Sequence, residues 1–301
     1  MYLKLKSTGP TNNFVQWLKG FKDIDPLQSI IIEVDLNELS FIAKCFPDNK
    51  SVIKYSTISF EDAGYELAYI KDGAQVDMDW NNCSDETDKR IKIGLYHNLG
   101  KVIDVVTMFS ETEHEMDINF DLNKAVKYKP DSRGNAIICP EYTGIIWSFI
   151  SKALKMNIHC SQLSELFQKL DDNKFLNGIC NIGSPSVYEV KMSTLNNLAK
   201  ISSALSTDKS KDKIKFYSKL IDGNRAFFAE DATNGTYDYL IGYYSSGENG
   251  DTATTVFKEN FINATKGLNV ETLELILDTA GASRIIINVN NAKIVIGAIK
   301  Q

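Results

Sequence analysis

The sequence has no C-x-x-C pair. Its five cysteines, Cys45, Cys83, Cys139, Cys160 and Cys180, are odd in number and widely spaced. That excludes a disulfide framework or a zinc ribbon as the basis of the fold and points to reduced thiols in a reducing compartment. Histidine is scarce as well: none of His97, His114 and His159 stands in H-x-x-x-H or H-E-x-x-H spacing. His114 lies in ETEHE, which reads as a solvated acidic loop rather than a metal site. P-loop, G-x-G-x-x-G and G-x-S-x-G motifs are missing, and nothing marks a paired-carboxylate site. Asp222 and Asp278 fall near turns, where carboxylates cap backbone amides. The expectation is a protein without catalytic chemistry, metal or cofactor. An active site assembled from distant residues leaves no such motif, so a hydrolase stays an alternative. No apolar run approaches the roughly 20 residues of a membrane-spanning helix; the longest, residues 144–150, is strand-sized. The opening MYLKLKST has no signal-peptide core, so the expected location is the cytoplasm, that of the host for a phage protein, or the nucleus in a eukaryote.

What is present is ordinary in amount and informative in pattern. The 301 residues suffice for one large domain or two of usual size, and 43% apolar with 24% charged residues suits a packed globular chain. The net charge is −6. A surface that bound nucleic acid everywhere would be basic, so any DNA contact here must draw on positive charge gathered on one face.

Periodicity is clearest in the C-terminal third. Residues 187–192 (VYEVKM) alternate as a strand; Ser193 or Thr194 offers an N-cap, and Leu195, Leu198, Ile201 and Leu205 make one helical stripe. Strand-like runs follow at 213–221, 225–229 and 237–244, with Asp222-Gly223-Asn224 as a hairpin turn between the first two. After a loop over 245–255, a second helix is predicted at 256–266, with Phe257, Phe261 and Ala264 as its stripe and Gly267 closing it. Strands at 272–277, 284–289 and 293–299 complete the chain, with Asn290-Asn291 as the last tight turn. The order is a helix followed by an antiparallel meander, twice over.

The N-terminal half repeats that order more loosely. A strand at 2–6, a helix bearing Phe14, Trp17, Leu18 and Phe21, and strands at 29–34, 39–45 and 52–60 are predicted, with a further strand at 66–70. The polar, acidic stretch 71–90 reads as an insertion or long loop. Then come a strand at 91–96, a helix at 99–109 and strand-like runs at 116–122, 125–128, 136–139, 144–150 and 153–160. The expected layout is α+β: a first domain at 1–160, a connector at 161–186 and a second domain at 187–301.

Residues 187–231, VYEVKMSTLNNLAKISSALSTDKSKDKIKFYSKLIDGNRAFFAED, and the ending ETLELILDTAGASRIIINVNNAKIVIGAIKQ resemble the second domain of the DNA sliding clamp family. The likeness is to its trimeric kind, typified by proliferating cell nuclear antigen and the clamps of T4-like phages. It is close over 187–301 and, over the first 160 residues, a matching order of elements; the insertion at 71–90 departs from it. The resemblance implies two domains, each a duplicated β-α-β-β-β unit, with helices lining the inside of a ring and antiparallel sheets outside. It implies a homotrimer that encircles double-stranded DNA without sequence preference, tethers a polymerase and is opened by a clamp loader.

A ring around DNA needs a cationic inner face, because phosphate attraction is independent of sequence and permits sliding. The helical windows 14–22, 99–109, 194–205 and 256–266 carry Lys19, Lys22, Lys101, Lys200, Lys258 and Lys266 against Asp104 and Glu259, a net of +4 within a chain of −6. Lys209, Lys211 and Lys213 flank the third helix and add to the same field, the first two counted in the DNA-facing set, although lysine is also simply a good helix former. In clamps the connector helps to form a pocket for partner peptides. The counterparts here are Leu163, Leu166, Phe167, Phe175, Leu176, Ile179 and Ile182, with Ala298 and Ile299 beside them. The other reading of these residues is that they cap a domain core. Residues 213–221, or their first-domain counterpart, are expected to be an exposed sheet edge used in assembly. Two further alternatives are a monomeric DNA-binding processivity factor, which the acidic balance disfavours, and a β-rich structural protein such as a virion component.

Overall fold

The computed structural model describes residues 2–8, 12–22, 24, 30–45, 52–71, 74–76, 90–95, 99–112, 117–120, 128–130, 136–138, 146–150, 155–159, 185–205, 211–266, 268, 270–278, 284–289 and 292–299. The chain divides into two compact units, Met1–Cys45 with Ser56–Asp172, and Phe46–Tyr55 with Asn173–Gln301.

In the first unit the elements are β1 (Tyr2–Ser7), α1 (Asn12–Lys19), β2 (Ile30–Asp35), β3 (Ser40–Cys45), β4 (Val52–Ser59, shared between the units), α2 (Phe60–Ala63), β5 (Tyr65–Lys71), β6 (Ala74–Val76), β7 (Arg90–Leu95), α3 (Leu99–Thr112), β8 (Asp117–Phe120), β9 (Tyr128–Pro130), β10 (Ala136–Ile138), β11 (Ile146–Ile150) and β12 (Lys155–His159). In the second they are β13 (Pro185–Lys191), α4 (Met192–Ala204), β14 (Lys213–Ile221), β15 (Asn224–Asp231), β16 (Asp238–Gly247), β17 (Ala253–Phe257), α5 (Lys258–Thr265), β18 (Thr272–Asp278), β19 (Arg284–Val289) and β20 (Ala292–Gly297).

The strand pairings show the duplication directly. In the second unit β14 lies between β15 and β17, and β13 lies between β16 and β18. In the first, β2 lies between β3 and β7, and β1 lies between β5 and β8. All these pairs are antiparallel. The difference is in the strand that serves two neighbours. In the second unit it is one long strand, β16, whose residues 238–243 pair with β15 and 242–247 with β13. In the first unit the turn α2 separates β4 from β5. That turn is built locally: the Asp62 amide donates to Ser59 Oγ at 2.9 Å, Ser59 Oγ donates to Asp62 Oδ2 at 2.7 Å, and Gly64 closes it at φ 84°. Residues 74–76 of the acidic stretch 71–90 form β6, which folds back on β5.

Gly242 sits where β16 changes partners. A Cβ there would collide with the Glu189 carbonyl oxygen and lie 2.8 Å from Val190 Cγ2, so the two backbones approach as closely as they do only without a side chain. The β14–β15 hairpin turns at Asp222 (φ 50°) and Gly223 (φ 80°), the two positive angles of a type I′ turn.

Three sequence expectations shift. The N-cap of α4 is Lys191, without a side-chain bond, rather than Ser193 or Thr194. The Met192 amide donates instead to the Glu271 carbonyl at 2.9 Å, so a tertiary partner takes the place of a capping hydroxyl. The 245–255 loop contains the start of β17, whose Thr254 and Thr255 are buried; β-branched threonine suits a strand even in a polar sequence. And β14 is no exposed edge over its first half, because β17 pairs with it from Lys213↔Phe257 to Tyr217↔Ala253. The expectation that 213–221 forms the edge is corrected: β17 is the outer strand.

Each unit buries its helices' apolar faces. In the first, Phe14, Val15 and Leu18 of α1 and Val102, Ile103 and Val106 of α3 are buried, and the helices pack on each other. Phe14 meets Phe41 and Tyr65 at 4.8 and 5.6 Å, and Trp17 donates from Nε1 to Ser56 Oγ at 3.0 Å. In the second, Tyr188 stacks on Phe227 at 4.2 Å and Phe216 meets Phe261 at 4.7 Å. Asp278, read from sequence as a turn cap, is wholly buried and accepts from Nε and Nη2 of Arg284 at 3.0 and 2.8 Å.

Gly242→Ala should lower the unfolding midpoint of the protein, by the equivalent of about 1–3 kcal/mol for a steric insertion. Gly250→Ala, in open space, should leave it nearly unchanged. A second expectation concerns acid. Burial acts to raise the Asp231 carboxyl, but bonds from the Thr236 hydroxyl and the amides of Asn234, Thr233 and Thr236 outweigh it and hold the group below its ordinary 3.8. A depressed carboxyl contributes stability that is fully present above pH 3.8 and is lost as pH falls through the folded value. Asp231→Asn should therefore be less stable than the parent at neutral pH, and the gap between their thermal midpoints should close on acidification below that value.

Candidate nucleic-acid interface

The helices turn one face to their own sheet and the other to solvent, and the second face is where the basic residues should lie. On the first unit Lys19 ends α1, Lys22 sits in the turn after it, and Lys101 lies on α3; all are exposed. Asp104, one turn on from Lys101, is exposed as well. On the second unit Lys200 of α4, Lys211 before β14 and Lys266 after α5 are exposed, with Glu259 the exposed acid. Over α1, α3, α4 and α5, with Lys22 and Lys266 just after α1 and α5 and the buried Lys258 set aside, Lys19, Lys22, Lys101, Lys200 and Lys266 against Asp104, Glu111 and Glu259 give a net +2.

Lys258 does not belong to that set, a correction to the sequence reading. It is 5% exposed. Its Nζ donates to Asp212 Oδ2 at 3.0 Å and to the Ser202 carbonyl at 2.7 Å. The physical reason is a frame shift of one residue. Because β17 runs to Phe257, the helix begins at Lys258, and the buried stripe becomes Lys258, Phe261, Ala264 and Thr265 while Phe257 is 37% exposed. The stripe of α4 shifts in the same way: Leu195 and Leu198 are buried, but Leu205 is exposed, and Ser202 turns inward to share a 2.7 Å hydrogen bond with the Tyr237 hydroxyl. Burial raises the Tyr237 phenol above its ordinary value; the Ser202 bond opposes this, and the charges of Asp231 and Asp212 add to it. Asp212, Ser202 and Tyr237 thus tie the end of α4 to the start of α5 and the approach to β14, and no motif in the sequence marks them.

The outward face of the second unit's sheet is chemically different. Tyr217 donates to both oxygens of Asp238 at 2.8 Å, stacks on Phe228 at 5.5 Å, and has Lys215 5.1 Å from its ring; Lys219 stands 4.1 Å above the Phe228 ring. Burial first, then the bond and charge of Asp238 and the charge of Glu230, push the Tyr217 phenol up to about 12. These cations are paired with aromatic rings and with Glu230 and Asp238, so the row does not add to a cationic surface.

Lys209 lies outside the described residues, and so do Leu163, Leu166, Phe167, Phe175, Leu176, Ile179 and Ile182 of the expected peptide pocket. Gly267, Asn290 and Asn291 also fall outside them, as do His97 and His114. Ala298 and Ile299 are described: both are half-buried, and the Ile299 amide donates to the Thr255 carbonyl at 2.9 Å, which ties the segment after β20 to the outer strand β17. Among the described residues no cluster of His, Cys, Asp and Glu could hold a metal, and no helix is long and apolar enough to cross a membrane.

The burial of Lys258 sets an expectation for stability. Lys258→Ala would leave Asp212 charged and buried without its ammonium, which costs about 3–5 kcal/mol. Lys200→Ala, on the exposed face, should change stability by no more than about 0.5 kcal/mol. Thermal midpoints of the two variants check this.

No protein-family model matches the sequence, and no curated protein matches it. Solved structures do. The PCNA2–PCNA3 complex of Sulfolobus tokodaii matches with a TM-score of 0.55 at 13% identity, over 99% of both chains. Proliferating cellular nuclear antigen of Entamoeba histolytica matches with 0.53 at 10%, over 99% of this chain and 98% of that one. The β clamp of Helicobacter pylori, bound to a DNA ligase peptide, matches with 0.55 at 12%; this chain is covered to 99% and spans 66% of the bacterial one. With duplicated β-α-β-β-β units, helices packed on antiparallel sheets and these structural likenesses along nearly its whole length, the chain has the DNA sliding clamp fold.

Proposed function

We propose that this protein is a DNA sliding clamp, a non-catalytic processivity factor that encircles duplex DNA as a homotrimeric ring and tethers the replicative polymerase. The observation that carries this reading is the exposed lysine on the solvent face of both helix pairs of a chain whose net charge is −6. A face that attracts phosphate without reading bases holds DNA loosely enough to slide, and closure of the ring supplies the retention. The polymerase, the clamp loader and other partners presenting short apolar peptides follow from the fold as its expected company.

Two sheet edges support ring closure. β12 ends the order of its sheet and pairs only with β11 among the described strands. Over Asp238–Ile241, β16 pairs with β15 on one side and reaches β13 only from Gly242 onward. A groove of about 510 Å³ opens in that fork, lined by Leu240, Tyr243, Glu189, Lys191 and Thr194 among others. Tyr243 is 56% and Leu240 38% exposed. An unpaired edge with apolar side chains beside it is a site for strand addition. β12 of one copy adding to β16 of the next is a head-to-tail contact, and such contacts close into rings.

Light scattering at near-physiological salt should give a stable homotrimer across a range of concentrations, and Leu240→Asp should dissociate it without unfolding the chain. A monomer at every concentration overturns the ring.

A further inference from the structure

Lys258 stands where a lysine is electrostatically awkward. It is the first residue of α5, at the positive end of the helix dipole, and it is buried. Its ammonium reaches two groups that are far away in sequence. One is the Asp212 carboxylate, just before β14, at 3.0 Å; the other is the carbonyl of Ser202, in the last turn of α4, at 2.7 Å. That carbonyl is among the last four of α4, which have no partner within the helix, and it lies at the helix's negative end. The backbone repeats the link, since the Lys258 amide donates to the Asp212 carbonyl at 2.9 Å. Ser202 is held a second time by Tyr237 at 2.7 Å. One side chain therefore joins the end of α4, the start of α5 and the entry to β14.

Two exposed lysines of the interface stand next to the joined points. Lys200 precedes Ser202 by two residues in α4, and Lys211 is the neighbour of Asp212. On the reading of this chain as a DNA clamp, on which the inference rests, we propose that Lys258 is a positioning residue. It meets no phosphate; it fixes the last turn of α4 and the Lys211–Asp212 segment against α5, so that Lys200 and Lys211 face DNA in one set arrangement. A loop lysine free to wander spends entropy on every phosphate it meets, whereas one on an anchored segment does not.

The test measures binding of short mixed-sequence duplex DNA as a function of salt, and the readouts differ by role. Lys200→Gln, which removes one phosphate contact per protomer, should reduce the slope of log affinity on log salt by about one for each protomer whose Lys200 meets DNA, up to about three for the ring. Because truncating Lys258 alone takes the ammonium from the buried Asp212, the variant of choice is Lys258→Met with Asp212→Leu, which replaces the buried pair by apolar groups of similar size. It should stay folded, with a thermal midpoint lowered only by the lost bond to the Ser202 carbonyl, bind more weakly with an unchanged slope, and make a further Lys211→Gln change almost without effect, although Lys211→Gln weakens binding in the parent. Parental affinity in the double variant, a slope lowered as by Lys200→Gln, or a Lys211→Gln effect that simply adds, overturns the proposal. Should that variant not fold, lysine acylation of the unaltered protein decides. Lys258 should resist labelling with and without DNA, while Lys200 and Lys211 label freely and are protected by DNA. A Lys258 that labels in the free protein and is shielded by DNA overturns it. If the parent binds no duplex at low salt, or Lys200→Gln leaves the slope untouched, the nucleic-acid reading itself has failed, which is a different result from a phosphate-contacting Lys258.

Discussion

Burial of one apolar face of each helix against its own sheet is the constraint on which the rest depends. Phe14, Val15 and Leu18 in α1, Val102, Ile103 and Val106 in α3, Leu195 and Leu198 in α4, and Phe261 and Ala264 in α5 all face inward. A helix has only one other side, and whatever charge it carries must go there. Lys19, Lys101 and Lys200 stand on that second side, and so do the acids Asp104 and Glu259.

Within the second unit, the buried ammonium of Lys258 shows how that rule is broken at a cost that is locally repaid. A charge in the apolar stripe is tolerated because a carboxylate and an orphan helix carbonyl meet it. In the first unit a comparable device joins neighbouring strands: Lys44 donates to Glu33 at 2.8 Å, both buried, where β2 and β3 are covered on both faces. The corresponding strand of the second unit, β14, keeps its outward Lys215, Tyr217 and Lys219 at least partly exposed. The duplicated units thus share a pairing scheme and differ in what covers it. They differ also in how the strand between two neighbours is made, as a single β16 turned at Gly242 or as β4 and β5 separated by a capped turn.

The sequence by itself determined the class of fold and its repetition. Alternation in residues 187–192 and 213–221, the 3.6-residue stripes of Leu195 and Leu198 or Val102 and Val106, and the Asp222-Gly223 turn are local signals, readable because each element's own face dictates them. The exposure of Lys19, Lys101 and Lys200 follows from the same stripes. Only the tertiary structure decided the frame of α5 and with it the fate of Lys258, the recruitment of 253–257 as a strand, the start of α4 at Met192, and the edge that β16 leaves open. Each of these depends on a partner distant in the chain: Asp212 is 46 residues and Ser202 56 residues from Lys258, and Glu271 caps a helix that begins at Met192. Periodicity reports which face of an element is apolar. It carries no information on which remote carbonyl or carboxylate will arrive to satisfy a buried polar group, because that is settled only when the elements pack.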